Sequence, residues 1–285
     1  MLATFLIMLR EGFEAALVIA ILYAYLQRTG RRDLLGPMWV GVGAAFAIAA
    51  GFGVSLEVGL GSLEGDTEAR AFAAVMIFAV IVLTWMIFWM RAHAMKIRGE
   101  LQDNMEQAMH AVGNVKVAVV AAAFLAVLRE GFEAAVFLLA LSTSSAGFAL
   151  TAGAVLGLGL SAVLGWMVVI GGKKLPMRQF FKVTGVVLIL FAAGLLSRAV
   201  GSLQDIGDLP LYYDAVYDFT MFPWLTGETE VGNFLIAIIG WDPRPSIEQV
   251  ILWGGYTGIV TWLFLRKPRT KPVKDSTKPT VAQPH

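Results

Sequence analysis

Three ionisable side chains interrupt each of two long apolar stretches, in the same order both times. The residues Arg-Glu-Gly-Phe-Glu occupy positions 10–14 and recur at positions 129–133, 119 residues later. A charged side chain at the centre of a membrane-spanning helix costs roughly 2.5–3.5 kcal/mol on the insertion scale. Because such charges are rare and usually functional, the repeated motif indicates a site for a cation or for protons.

Helical geometry puts the charges of each motif on one side of its helix. With Arg10 at 0° and 3.6 residues per turn, Glu14 lies at about 40° and Glu11 at about 100°. If the two motif helices meet, four carboxylates and two guanidinium groups converge. The candidate metal ligands are Glu11, Glu14, Glu130 and Glu133, and the supporting residues are Arg10 and Arg129.

A face of small residues lies beside the charges of each motif. Gly12 is four residues before Ala16, and Gly131 stands in the same relation to Ala135. Small residues at this spacing let another helix approach closely. We therefore predict that the two motif helices touch near Gly12 and Gly131.

The formal charge of the six motif side chains is −2 when all are ionised. An uncompensated −2 is unfavourable in a low dielectric, so protons or a cation would complete the cluster. Carboxylate oxygens suit hard or borderline cations. The alternative is that each motif forms an i, i+4 ion pair, Arg10–Glu14 or Arg129–Glu133, that only stabilises packing. That alternative does not explain the third charge in each motif.

The elements that must position these motifs are membrane-spanning helices. The chain is 58% hydrophobic and 15% charged, with a mean hydropathy of +0.71, which is typical of a polytopic membrane protein. Lipid favours helices, since they satisfy their own backbone hydrogen bonds. We predict an all-α fold with seven transmembrane helices, at about 2–26, 38–56, 71–90, 117–141, 148–171, 180–197 and 247–265.

The loops predict the topology. Loops after the first, third and fifth spans and the tail after the seventh are rich in Lys and Arg, whereas the other loops are acidic or neutral. The positive-inside rule then predicts an outer N-terminus and a cytoplasmic C-terminus. Because the motifs fall three spans apart, about 2–90 and 117–197 are predicted to form a 3+3 inverted repeat with a midplane site. A seven-span permease domain covers 1–265, and a basic, disordered tail covers 266–285.

The outer loop, 201–246, has structure of its own. Its mixed apolar and acidic segment 209–222 predicts a helix lying at the interface. The apolar segment 231–240 is too short to span and predicts a re-entrant or interfacial piece. Ser246 and Gln249 have the spacing of a capping box at the start of the last span.

Composition excludes several other functions. The chain has no cysteine, so thiolate sites and Cys nucleophiles are excluded. The three histidines lie outside the apolar runs, and no phosphate-binding loop or Ser/His pair is present. We predict a protein that is not an enzyme, has no cofactor and binds no nucleic acid.

At the two motifs the sequence resembles the oxidase-dependent iron permease family, which includes the fungal high-affinity iron permease and the bacterial EfeU-type permeases. Its hallmark is Arg-Glu-Gly-Leu-Glu in the first and fourth spans; here Phe13 and Phe132 replace the leucines. Residues 84–90 and 240–246 also resemble the bacterial branch, and the resemblance covers about 1–265. The fungal proteins carry an acidic motif before the last span, and here only 214–218 lies in a comparable place.

The resemblance implies iron uptake across the cytoplasmic membrane, with the motif glutamates handling the metal and iron as the transported substrate. It also implies periplasmic iron-binding and haem-peroxidase partners, beside membrane lipid. A homo-oligomer is compatible with this interpretation.

Among the outer acidic residues, Glu68 and Asp218 abut apolar segments and are candidates for a cation entrance. Two alternatives stay open: a permease for another divalent cation or for protons, and a membrane scaffold for periplasmic redox proteins.

Overall fold

The computed structural model describes residues 1–93, 115–142, 147–171 and 177–266. Within these ranges the regular elements are helices, with no strand. Two short 3₁₀ turns, Arg32–Leu34 and Pro223–Leu225, lie in connections. The α-helices are α1 (Leu2–Arg28), α2 (Leu35–Gly61), α3 (Asp66–His93), α4 (Val115–Ser142), α5 (Gly147–Gly171), α6 (Met177–Asp205), α7 (Glu230–Ile239) and α8 (Ile247–Leu265).

Each predicted span coincides with a helix, and the helices run beyond the apolar segments at several ends. Four described helices, α2, α3, α5 and α6, are long and apolar enough to cross a membrane by length and composition. Helices α1 and α4 are 27 and 28 residues long, but each carries three motif charges within its apolar length. Helix α8 is 19 residues long and begins with the predicted capping box, formed by Ser246 and Gln249.

Each motif helix packs lengthwise against a helix that carries small residues every four positions. Helix α1 pairs with α5, and α4 pairs with α2. The contacts advance in the same direction along both helices, so both pairs are parallel. In the first pair the facing positions are Thr4 with Gly153, Met8 with Gly157, Gly12 with Ser161, and Ala16 with Gly165. In the second pair they are Ala123 with Gly41, Gly131 with Ala49, and Ala135 with Gly53.

The main apolar core lies on the other side of the motif helices. It is formed by side chains of α1, α3, α4, α6 and α8, including the fully buried Leu83, Phe137 and Ile189. Helix α3 packs against α6, and α6 packs against α8. Helices α2 and α5 lie at the periphery and expose large apolar residues such as Phe46 and Trp166, which suits contact with lipid tails.

The outer segment corrects one prediction and refines another. Residues 209–222 are not helical, so the predicted interfacial helix is wrong. The N–H groups of Val216 and Phe219 donate instead to the carbonyls of Pro245 and Pro243, which ties this segment to the turn before α8. The short apolar segment after it forms the ten-residue helix α7. The predicted tail lies outside the described residues from position 267 onward.

Candidate metal site

The first motif is fully enclosed in the centre of α1. The relative exposures of Arg10, Glu11 and Glu14 are 2%, 1% and 6%. Arg10 forms ion pairs with both glutamates, from Nη1 to Glu11 Oε1 at 3.2 Å and from Nη2 to Glu14 Oε1 at 3.1 Å. One guanidinium therefore holds two carboxylates side by side, which places two negative charges on one edge of the helix.

The second motif repeats this arrangement in a looser form on α4. Arg129 Nε donates to Glu133 Oε1 at 3.0 Å and lies 3.8 Å from Glu130 Oε1. The Arg129 side chain is 34% exposed, whereas both glutamates are buried. The i, i+4 ion pair predicted as an alternative is thus formed in both motifs, but each arginine also approaches the third charged residue.

The two motifs meet at three carboxylates. Glu11, Glu14 and Glu130 each offer one oxygen, and the three oxygens lie within 4.8 Å of one another. Buried oxygens without a hydrogen-bond partner remain on Glu11 and Glu130 (Oε2 of each) and on Glu14 (Oε1, which lies near Arg10 but outside hydrogen-bonding geometry). Unsatisfied buried acceptors are costly, and a bound cation would satisfy them.

Glu133 stands beside this group rather than in it. Its Oε1 accepts the hydrogen bond from Arg129, and its Oε2 is a buried acceptor without a hydrogen-bond partner. Of the four predicted ligands, the structure therefore gathers three into one cluster and leaves the fourth paired with the second arginine.

A cavity of about 370 Å³ leads to the cluster between α1, α2, α4 and α5. Glu11 and Glu130 line it beside the two motif glycines, and most of the rest of its wall is apolar. Glu57, which is exposed, and Ser142 line it near the C-terminal ends of α2 and α4. The cavity thus connects the buried carboxylates with the end of the helix bundle that carries these two residues.

The motif glycines correct a second prediction. A Cβ on Gly12 would clash with Ser161 on α5, and a Cβ on Gly131 would lie 2.5 Å from the Cβ of Ala49 on α2. The small faces therefore receive α5 and α2, and the prediction that α1 and α4 touch at Gly12 and Gly131 is wrong. Helices α1 and α4 do contact one another, but through the side that carries the charges.

Sequence reasoning missed three residues of α3 that contact the motif arginines. Arg10 Nη1 lies 3.4 Å from Met86 Sδ, and Met86 is fully buried. The Arg129 guanidinium lies 4.4 Å from the ring centroid of Trp89 and 5.7 Å from that of Trp85. The sequence does place Trp85, Met86 and Trp89 within one helical turn. Such a group of aromatic and methionine side chains is by itself more typical of core packing than of a contact with arginine.

The two predicted entrance residues lie outside the carboxylate cluster. Glu68 is half-buried in the first turn of α3. Asp218 is exposed; its Oδ1 accepts hydrogen bonds from the Thr220 hydroxyl and N–H, and its Oδ2 lies 4.0 Å from Arg244. The hydrogen bonds from Thr220 and the nearby guanidinium hold the pKa of Asp218 below its ordinary value. Asp218 therefore stays charged in neutral solution.

The fold and the site define a helical membrane protein with a cluster of buried carboxylates between its helices. The chain belongs to the iron permease FTR1 family, whose family model matches residues 1–269. It is 33% identical over 269 residues to the ferrous iron permease EfeU of Escherichia coli O6:K15:H31, which covers 94% of this chain and 97% of the relative. It is 32% identical over 270 residues to EfeU of Yersinia pestis, covering 95% of each chain. No solved structure matches the chain.

Proposed function

We propose that this protein carries iron across the cytoplasmic membrane through a midplane site built by the two Arg-Glu-Gly-Phe-Glu motifs. The observation that carries the proposal is the cluster of Glu11, Glu14 and Glu130, whose oxygens lie within 4.8 Å of one another. Glu133 would add a fourth, weaker ligand through its unpartnered Oε2, because its Oε1 is held by Arg129. The family and the relatives' printed names support iron as the substrate.

Charge balance favours a divalent ion. Four carboxylates and two guanidinium groups leave a formal charge of −2, and one ferrous ion makes the cluster neutral. A neutral cluster minimises the electrostatic cost of burial, so a divalent ion suits the site better than a trivalent ion. The relatives are named ferrous iron permeases, which supports the same assignment. The two arginines keep the empty site from carrying four uncompensated charges.

The proposed architecture has seven spans, α1–α6 and α8, with α1–α3 and α4–α6 as inverted halves. The packing supports it, since α1 rests on α5 as α4 rests on α2, the pairing that a two-fold exchange of the halves requires. Small residues face one another in both pairs. The alternating basic loops support an outer N-terminus and a cytoplasmic C-terminus.

The cavity is the proposed outer approach to the site. In this orientation the C-terminal ends of α2 and α4 face outward, so Glu57 and Ser142 lie at the outer end of the cavity. Glu68 and Asp218 would raise the local concentration of cations near the entrance. Periplasmic iron-binding and haem-peroxidase partners would deliver iron to this face, and a homo-oligomer is compatible with the exposed apolar surfaces of α2 and α5.

Reconstitution of the purified chain in liposomes tests the proposal. We expect anaerobic uptake of radioactive ferrous iron by wild-type protein and uptake at the background rate by Glu14→Gln at equal protein content. The exposed Glu64 provides the matched control, Glu64→Gln, which should transport normally. No uptake by the wild type would favour a scaffold. Competition by excess manganese or zinc that is as effective as competition by excess unlabelled ferrous iron would favour a general divalent-cation permease.

A further inference from the structure

One turn of α3 contacts both motif arginines. Met86 Sδ lies 3.4 Å from Arg10 Nη1, and the indole of Trp89 lies 4.4 Å from the Arg129 guanidinium. Trp85 extends the aromatic surface, since its ring is stacked against that of Trp89 at 6.4 Å. The two arginines come from different motifs, so this turn is a single element that contacts the counter-charges of both halves of the cluster.

The Trp89 contact leaves the edge of the Arg129 guanidinium free for the glutamates. Met86 acts differently, since its Sδ accepts a hydrogen bond from an edge N–H of Arg10. A guanidinium is planar; it donates N–H groups in its plane and meets aromatic rings with its face. Arg129 therefore hydrogen-bonds Glu133 through Nε while its face rests on Trp89. The two interactions together fix its position more tightly than the ion pair could alone.

We propose that Trp85, Met86 and Trp89 form an arginine seat, a set of positioning residues that holds the two guanidinium groups to one side of the metal position. The proposal rests on the proposed function, because it assumes that the glutamate cluster binds a divalent cation. The seat lets the arginines neutralise the carboxylates without occupying the place of the ion. It thereby sets the affinity of the site for the metal.

The position of Arg129 depends more on the arginine seat than that of Arg10 does. Its side chain is 34% exposed, whereas that of Arg10 is 3% exposed and is held by two ion pairs. Its Nη2 is buried without a hydrogen-bond partner, and its Nε lies 3.8 Å from Glu130 Oε1. Without the indoles, a small rotation would bring the guanidinium against Glu130. There it would compete with a cation for one of the three clustered carboxylates.

The test is the affinity of purified protein for ferrous iron, measured anaerobically by titration calorimetry in detergent. Trp89→Leu removes the cation–π contact that holds Arg129 away from Glu130. From the strength of such contacts, we expect the affinity for ferrous iron to fall by about three- to tenfold. Trp89→Phe keeps an aromatic face and should restore most of the affinity. In an Arg129→Gln background, Trp89→Leu should cause no further loss, because the seat acts through Arg129.

Two results would overturn the seat: an unchanged affinity in Trp89→Leu, or the same loss with and without Arg129. If Trp89→Leu does not fold, Trp85→Leu takes its place, because Trp85 is 57% exposed and its replacement disturbs the core less. Trp85→Leu should also weaken the binding of ferrous iron, by a smaller factor. Glu14→Gln in the same assay separates the two proposals. If Glu14→Gln loses metal binding and the tryptophan variants do not, only the seat is wrong; if the wild type binds no metal, both proposals fail.

Discussion

Gly131 on α4 lies directly against Ala49 on α2, and a Cβ on Gly131 would lie 2.5 Å from the Cβ of Ala49. The neighbour of Gly131, Glu130, belongs to the carboxylate cluster. The distance between α2 and α4 is therefore set one residue away from the candidate site. Gly12 on α1 likewise packs against Ser161 on α5, and its neighbour Glu11 belongs to the cluster. A close helix contact therefore positions the glutamates of both motifs.

The first prediction exchanges the sizes of these two residues. Gly131→Ala should destabilise the protein by about 1–3 kcal/mol, because the added methyl group overpacks the α2–α4 contact. Adding Ala49→Gly should restore most of the loss, since the methyl group then moves to the other helix. The measurement is thermal unfolding in detergent. Gly43→Ala, at an α2 position with nothing within 4 Å, is the control for helix propensity alone.

The second prediction uses disulfide cross-linking to test which helices meet. The chain has no cysteine, so introduced pairs have no background. Gly53→Cys on α2 with Ala135→Cys on α4 should cross-link with mild oxidant, because a Cβ on Gly53 would lie 3.4 Å from the Cβ of Ala135, close to the Cβ–Cβ spacing of a disulfide. Gly12→Cys with Gly131→Cys should not, since these glycines face different helices. Efficient cross-linking of that last pair would contradict the packing of Gly12 against α5 and of Gly131 against α2.

The third prediction grades the four glutamates. Glu11→Gln, Glu14→Gln and Glu130→Gln should each reduce ferrous iron uptake to background, because each removes a charge from the cluster. Glu133→Gln should leave measurable uptake, since its Oε1 serves mainly to hold Arg129. Uptake is compared at equal membrane abundance. An equal loss in all four variants would show that Glu133 is as important to the ion as the clustered three.

The fourth prediction concerns orientation. Ser62 lies between α2 and α3, and Thr29 lies between α1 and α2; both are exposed. In intact cells, Ser62→Cys should react with a membrane-impermeant maleimide. Thr29→Cys should react only after the membrane is opened, because its loop is predicted to be cytoplasmic. The reverse pattern of labelling would place the N-terminus in the cytoplasm and move the cavity mouth to the inner face.

Local sequence patterns were enough to place the long helices and to put the charges of each motif on one side of its helix. Helix positions follow from the length of the apolar runs, and the common side follows from 3.6 residues per turn. Both are local properties, so neither depends on which helices become neighbours. The capping box at Ser246 and Gln249 is local in the same sense, and it was confirmed.

The packing of the helices against one another, by contrast, sets which helix contacts each small face and which side chains contact each arginine. In an apolar environment, helix association depends on how well the helix surfaces pack, because every face is similarly hydrophobic. Hydropathy therefore did not reveal that Gly131 contacts Ala49 and that Gly12 contacts Ser161. The predicted helix at 209–222 was wrong for a related reason. The N–H groups of Val216 and Phe219 donate to carbonyls of Pro245 and Pro243, more than twenty residues away, instead of to carbonyls within the segment. The grouping of Glu11, Glu14 and Glu130 and the contacts of Trp89 depend on three helices at once, and no single stretch of sequence contains that information.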